Sequence, residues 1–265
     1  MVVRVMTVAG SDSGGGAGVQ ADIKTITCLG AFATSAITAL TAQNSVGVNG
    51  IAPMEPSFVS MQMNSILSDI GTDTAKTGML YSGEIIDAVT STFKQYSVKK
   101  IVVDPVMVSK TGSKLLKDDA IEILMKELVS IACLVTPNIP EAEIMSGIRI
   151  DSEESMEKSA IKINQLTGSS VLVKGGHMSD TGHSMDVLYH EDKITHYSLP
   201  RINTKNTHGT GDTYSAAIAT FLAKGNSMEQ AVENGKEYLQ KTIEGSFPMG
   251  SGYGSLRHFW KLESV

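Results

Sequence analysis

Short, continuous apolar runs alternate along this chain with stretches of helical periodicity, and that alternation narrows the fold more than any other feature. The runs Val3–Val8, Ser35–Leu40, Ala75–Gly78, Ile101–Pro105, Leu134–Thr136, Ser170–Lys174 and Met185–Tyr189 read as strands. They lack the clean polar/apolar alternation of a half-exposed strand, which is how strands buried on both faces look. Between them, Gly18–Leu29, Pro56–Ile70, Ser82–Tyr96, Asp118–Ile131, Ser152–Thr167, Gly211–Lys224 and Ser227–Glu244 read as helices. Val59, Met63, Ile66 and Ile70 form one apolar stripe, and Ile121, Leu124, Leu128 and Ile131 form another, at spacings that share a helix face. Strands of this kind separated by helices predict an α/β fold with a mostly parallel sheet covered on both sides. No linker, repeat or low-complexity tract interrupts the 265 residues, so one domain over 1–265 is expected.

Composition excludes several classes of function. Net charge is −6 and there is no basic block, which argues against a nucleic-acid or anionic-membrane partner. The two cysteines, Cys28 and Cys133, lie far apart and make no CxxC site, so small buried thiols in a reducing compartment are expected. The N-terminal apolar run breaks at Gly10, too early for a signal peptide. No stretch approaches the roughly 18 apolar residues of a membrane span. A cytoplasmic protein is expected.

Chemistry concentrates in the loops that follow the strands, where parallel sheets place ligands. Residues 9–18, Ala-Gly-Ser-Asp-Ser-Gly-Gly-Gly-Ala-Gly, link a strand to a helix but match neither a Walker A loop nor GxGxxG. The loop is either a tight turn or a platform on which a small planar substrate lies against backbone at Gly10. Asp22, a turn into the next helix, either reaches that ligand or is solvated. Residues 207–213, Thr-His-Gly-Thr-Gly-Asp-Thr, precede a run of small residues that reads as a buried helix. Gly209 and Gly211 permit backbone N–H groups to converge, and the helix start adds about half a positive charge. Together they suit a phosphoryl group. Asp212 beside such an anion site is either a helix cap or the group that takes a proton from an attacking hydroxyl.

Three further loops carry polar residues past apolar strands. Asp104 and Glu141 are either Mg²⁺ ligands, through water, or parts of Asp-Pro and Asn-x-Pro turns, the latter including Asn138. Lys174 closes the run Val171-Leu172-Val173 and either meets a nucleotide phosphate or reaches back to solvent. Gln43, in Thr41-Ala42-Gln43-Asn44, either pairs with an aminopyrimidine edge through its amide or caps a loop.

These segments, in this order, carry a resemblance over about residues 3–258. AGSDSGGGAGVQADIKT at 9–25, TALTAQN at 38–44, KTGML at 76–80, DPVMVS at 104–109, TPNIPEAE at 136–143, VLVKGGH at 171–177 and NTKNTHGTGDTYSAA at 203–217 resemble the hydroxymethylpyrimidine/phosphomethylpyrimidine kinases of the ribokinase-like superfamily. The resemblance implies a three-layer α/β/α sandwich and a homodimer. It implies ATP-dependent phosphorylation of 4-amino-5-hydroxymethyl-2-methylpyrimidine, then of its monophosphate, in thiamine biosynthesis. It places Gln43, Asp22, Gly10, Met79 and Val106 around the pyrimidine. Lys174, Thr207, Gly209, Gly211 and Asn138 fall on the ATP side, Asp104 and Glu141 at Mg²⁺, and Asp212 as base. A monovalent cation is left open, and Ser109–Lys114 and Ser179–His183 are candidate lid segments. One departure stands out: many pyrimidine kinases of this group carry cysteine where this chain has Asp212, whereas sugar and vitamin B6 kinases carry aspartate. Gln43 points back to the pyrimidine, because pyridoxal kinases tend not to keep it. A pyridoxal kinase is therefore the nearer alternative, and a non-catalytic pyrimidine sensor the further one.

Overall fold

The computed structural model describes residues 2–107, 115–116, 120–176 and 182–262. Among these residues nine strands form one sheet: β1 (Arg4–Asp12), β2 (Phe32–Asn44), β3 (Gly47–Pro53), β4 (Thr74–Thr77), β5 (Ile101–Val103), β6 (Leu134–Val135), β7 (Ser170–Lys174), β8 (His183–His190) and β9 (Lys193–Pro200). Their spatial order is β3-β2-β1-β4-β5-β6-β7-β8-β9. The six strands from β2 to β7 pair in parallel, β3 pairs antiparallel at one edge, and at the other β8 is antiparallel to both of its neighbours, β7 and β9.

Among the described residues, eight α-helices cover the sheet: α1 (Gly18–Cys28), α2 (Pro56–Leu67), α3 (Gly83–Gln95), α4 (Ala120–Ile123), α5 (Ile139–Ser146), α6 (Glu153–Thr167), α7 (Thr210–Ala223) and α8 (Met228–Glu244). The central strands feed two cores, and alternation along each strand decides which. Met6, Val8, Val103, Val135, Val171 and Val173 face a layer built from α2, α3, α5 and α6. Val5, Val102, Leu134 and Leu172 face α1, α7 and α8. Apolar side chains on both faces are why these strands read as continuous runs. Each fully buried Val, Leu or Phe stabilises the fold by roughly 1.5–3 kcal/mol. The three-layer sandwich is thus present as expected.

The expected elements reappear with shifted ends, and three were not foreseen. Strands β3 and β9 occupy stretches to which no element was assigned, and helix α5 starts where a turn was weighed. The expected helix Asp118–Ile131 changes character, running as α4, then as a π-helical turn over Leu124–Leu128 and a 3₁₀ turn over Val129–Ile131. Of the candidate lid segments, 109–114 and 179–181 lie outside the described residues, and His183 begins β8. No helix among the described residues is long and apolar enough to cross a membrane.

The sheet order reverses beside β1. The chain leaves β1 for β2 on one side and returns through α2 to β4 on the other. That switch point opens a crevice past the carboxyl ends of β1 and β4. Helix α7 packs over the centre of the sheet, on β1, β4 and β5, with α1 and α8 beside it. Ala216, Ala217 and Ala219 are all fully buried, and these small residues let it lie close. Its N-terminus is thereby aimed at the crevice.

Candidate active site

A cavity of about 1220 Å³ lies over these carboxyl ends. Gly10, Gln43, Met79, Asp104, Val106, Asn138, Glu141, Lys174, Thr207, Gly209, Gly211 and Asp212 all line it. Of the expected site residues, Asp22 alone is not among the lining residues.

At one end the walls suit a phosphate. Gly209 caps α7 with φ 83°, a left-handed conformation, and an added Cβ would overlap the Gly16 carbonyl oxygen. Gly16 in turn leaves room for the His208 ring. The two glycine-rich loops therefore interlock, and only glycine serves at their contact. A Cβ on Gly211 would lie 3.3 Å from Asp104 Oδ2 and 3.5 Å from Lys174 Nζ, so backbone and cation approach the same space. Lys174 Nζ donates to Asp104 Oδ1 at 2.8 Å, and Thr136 and Ser215 hydroxyls also reach the Asp104 carboxylate. Burial would lower the Lys174 pKa, but Asp104 and Glu141 more than reverse this, so the ammonium is held charged.

Asn138, Pro140 and Glu141, expected as a turn, instead start α5. Asn138 Oδ1 accepts from the Glu141 N–H at 3.0 Å, and Glu141 Oε2 accepts from the Asn138 N–H at 2.9 Å, a reciprocal cap. Burial pushes the Glu141 carboxyl up to about 7, against the pull of Lys174. Asp104 and Glu141 thus set two carboxylates against one ammonium in a dry corner. A divalent cation held through water would balance that excess, and Mg²⁺ needs only one or two carboxylates besides phosphate oxygens. The donor set fits, although no cluster of three or more carboxylate, histidine or cysteine side chains forms a metal cage among the described residues.

The centre of the site holds a group not foreseen in the sequence. Lys76, on β4, is fully buried and bonds Asp212 Oδ1 at 3.0 Å and Asp22 Oδ1 and Oδ2 at 2.9 and 3.0 Å. Asp22 is also fully buried and accepts from the Thr7 hydroxyl at 2.5 Å. This corrects the expectation that Asp22 meets substrate: helix α1 turns it inward, behind Lys76. Burial pushes the Asp22 carboxyl up to about 7 despite Lys76. Asp212 goes the other way. Burial would raise its pKa, but the Lys76 ammonium, helped by the Gly18 N–H, leaves it below the ordinary carboxylate range.

The other side of the cavity suits a flat ligand. Met79 and Leu115 pack with Ala39, Ile51 and Val106 into a small apolar cluster. An added Cβ on Gly10 would overlap the Met79 methyl, so glycine there lets this floor form. Gln43 is set above it by the Ser13 hydroxyl, which accepts from its N–H at 2.8 Å. The Gln43 amide touches Thr41 Oγ1 at 3.1 Å and His208 Nε2 at 3.3 Å. His208 Nε2 also lies 2.8 Å from Asp12 Oδ2. One ring nitrogen cannot both donate to Asp12 and accept from an amide, so a protonated Nε2 calls for the Gln43 oxygen on that side. Asp12 fits the donor reading of His208. Burial would raise its carboxyl, but His208 and the N–H groups of Gly14 and Ala17 outweigh that and leave it lowered.

A further buried ion pair closes the far wall. Lys236 on α8 meets Asp186 on β8 at 2.6 Å, and Asp186 also accepts from the Gly175 N–H at 3.0 Å. Sequence reading missed it, as it missed Lys76, because each is one charged residue inside an otherwise ordinary strand or helix.

Comparison with known proteins identifies the family. The family model for phosphomethylpyrimidine kinase matches residues 12–257. The chain is 47% identical over 261 residues to the thiamine biosynthesis bifunctional protein ThiED of Geobacter sulfurreducens, covering 98% of this chain but 53% of that protein, so it spans about half of that relative's length. It is 40% identical over 258 residues to the hydroxymethylpyrimidine/phosphomethylpyrimidine kinase of Bacillus subtilis, covering 97% of this chain and 95% of that one. Among solved structures, the pyridoxal kinase of Staphylococcus aureus in complex with AMP-PCP and pyridoxal superposes with a TM-score of 0.91 at 31% identity, covering 100% of this chain and 96% of that one. With the cavity at its switch point and a match over nearly its whole length, the chain belongs to the phosphomethylpyrimidine kinase family.

Proposed function

We propose that this chain transfers the γ-phosphoryl group of ATP to the hydroxymethyl group of 4-amino-5-hydroxymethyl-2-methylpyrimidine, and then to the resulting monophosphate, in thiamine biosynthesis. One observation carries the reading: Asp212 projects into the same cavity as the α7 N-terminus, the Lys174–Asp104 pair and the Gln43 amide. The acceptor oxygen forms its bond to the γ-phosphorus while the bond from phosphorus to ADP breaks. Its proton goes to Asp212. The N–H groups at Gly209–Gly211 and the Lys174 ammonium hold charge on the transferring group, and Thr207 and Asn138 border the nucleotide. Positioning and electrostatics of this kind do most of the work in phosphoryl transfer. Mg²⁺, held by Asp104 and Glu141 through water, would neutralise phosphate charge when bound. Gln43 reads the aminopyrimidine edge over the floor of Met79 and Val106, with Gly10 opposite. The domain spans residues 1–265 and works in the cytoplasm as a homodimer. Exposed Leu40, Val46, Phe58 and Met61 at the β2–β3–α2 end offer apolar surface for such pairing.

The structural likeness to a pyridoxal kinase gives the alternative its weight. Gln43 and the higher identity to pyrimidine kinases favour the pyrimidine. The test is ADP release from ATP with the pyrimidine alcohol, its monophosphate or pyridoxal as acceptor. Turnover with both pyrimidines is expected. Turnover with pyridoxal alone would overturn the substrate assignment, and ligand binding without ADP release would favour a sensor. Asp212→Asn is expected to slow the first phosphorylation by about 10²–10⁴-fold with ATP binding little changed. The second step starts from a phosphate already deprotonated near neutral pH, so it should suffer less.

A further inference from the structure

We propose that Lys76 is a positioning residue for phosphoryl transfer: anchored by Asp22, it fixes one oxygen of Asp212 and keeps that carboxylate ionised while the rest of it faces the cavity. The inference rests on the reading of Asp212 as the base.

Neither Lys76 nor Asp22 can touch a ligand, since both side chains are fully buried, whereas the Asp212 side chain keeps 17% exposure. The ammonium has three donors and lies within 3.0 Å of three carboxylate oxygens, two on Asp22 and one on Asp212. It is saturated by protein and acts only through Asp212. Thr7 fixes Asp22 from the β1 side at 2.5 Å. Gly78 completes the arrangement, because a Cβ there would lie 3.0 Å from Lys76 Nζ and 3.6 Å from Asp212 Oδ1.

Stability alone explains this group poorly. A buried charge cluster is seldom better than apolar residues of the same volume, and this one holds two carboxylates against one ammonium. Asp212 is faced by charges from several elements: Lys76 on β4, Asp22 on α1, Lys174 at the end of β7, His208 ahead of α7 and His258 from the C-terminal segment, with Asp104 acting on the same ammonium. Among the described residues, Lys76 is the one whose side chain bonds Asp212 directly. During transfer the acceptor proton moves to Asp212, and the Lys76–Asp22 pair exchanges none. Lys76 therefore keeps the base free of protons between turnovers, and Asp22 prevents it from swinging away.

The test compares Lys76→Met, Asp22→Asn and the double variant across pH, with the pyrimidine alcohol and its monophosphate as acceptors. In Lys76→Met, turnover of the alcohol should fall by about tenfold or more at neutral pH, and the acidic limb of the rate profile should move to higher pH. The loss should shrink as pH rises and be smaller for the monophosphate, with the KM for ATP nearly unchanged. Asp22→Asn, which keeps the ammonium and removes a like charge facing Asp212, should not move the limb to higher pH. The double variant leaves no unpaired charge at positions 22 and 76 and carries the same reading if Lys76→Met fails to fold. An equal loss at every pH and with both acceptors would reduce Lys76 to a structural role and overturn the proposal, as would undiminished turnover. Carbon NMR of the Asp212 carboxyl in unliganded protein separates this from the substrate assignment, because it needs no activity. Its titration should move to higher pH without Lys76, and an unmoved titration would overturn the proposal even if the kinase reading stands.

Discussion

Replacing Gly209 by alanine makes two demands on the backbone at once. An L-residue must take a left-handed φ, at roughly 1–2 kcal/mol, and its methyl must displace the Gly16 carbonyl. A stability loss of about 2–4 kcal/mol is expected, measured by urea denaturation, together with a large fall in kcat/KM for ATP because the two glycine-rich loops part. A wild-type melt with full activity would show that the interlock is dispensable. The need for glycine at 209 was legible beforehand, since glycine ahead of a buried helix has few other uses. Lys76 was not. It lies in Thr74-Ala75-Lys76-Thr77, where nothing nearby in sequence names its partners, which are 54 and 136 positions away. Asp22 was misplaced for the same reason, because a helical aspartate shows its direction only once α1 is packed. One signal was available: a lysine within a strand that must be buried on both faces needs an anion beside it.

Among the elements, α5 and α8 make a controlled comparison. Both start with a reciprocal cap, Asn138 with Glu141 and Ser227 with Gln230. Asn138→Ala and Ser227→Ala should each cost about 1 kcal/mol in a denaturation experiment. Only Asn138→Ala should also raise the KM for Mg·ATP, because its cap orients Glu141; equal kinetic effects would detach Glu141 from nucleotide binding. Helix α5 was hidden because Asn138-Ile139-Pro140 is a turn signal as much as a helix start, and proline early in a helix costs nothing there. Strand β3, Gly-Val-Asn-Gly-Ile-Ala-Pro, has the composition of a loop and pairs only at the sheet edge. Strand β9 buries Tyr197 among exposed neighbours, so it lacks the continuous apolar run that marked the central strands. Parallel central strands announce themselves through composition, and antiparallel edges do not.

At the scale of the whole molecule, one buried histidine ties the C-terminal segment to α7. His258 is 2% exposed, its Nε2 lies 2.9 Å from Thr213 Oγ1, and its carbonyl accepts from the Tyr238 hydroxyl at 2.8 Å. Burial, with Lys24 nearby, lowers its pKa from 6.5 to about 4. The unfolded chain therefore binds this proton first as pH falls. The stability His258 contributes is whole above pH 6.5 and drains away down to about pH 4. Asp22 and Glu141, raised to about 7, act in the opposite sense over that range. The comparison must thus be with His258→Asn: the stability of wild type minus variant should drop by on the order of 3 kcal/mol across the window in pH-dependent melts. A difference independent of pH would show that His258 is not buried neutral.

The same long connections bear on how the protein comes into being. Lys76 meets Asp212 across 136 residues, and Asp12 meets His208 across 196. On a ribosome adding roughly 5–20 residues per second, Lys76 and Asp22 are made on the order of ten seconds before their partner in the site. Through that interval the nascent chain has β1, α1 and β4 but neither Asp212 nor the Gly209–Gly211 turn. If Asp212 is the base, catalytic competence is gained in one late event, when the α7 segment joins the strands made before it.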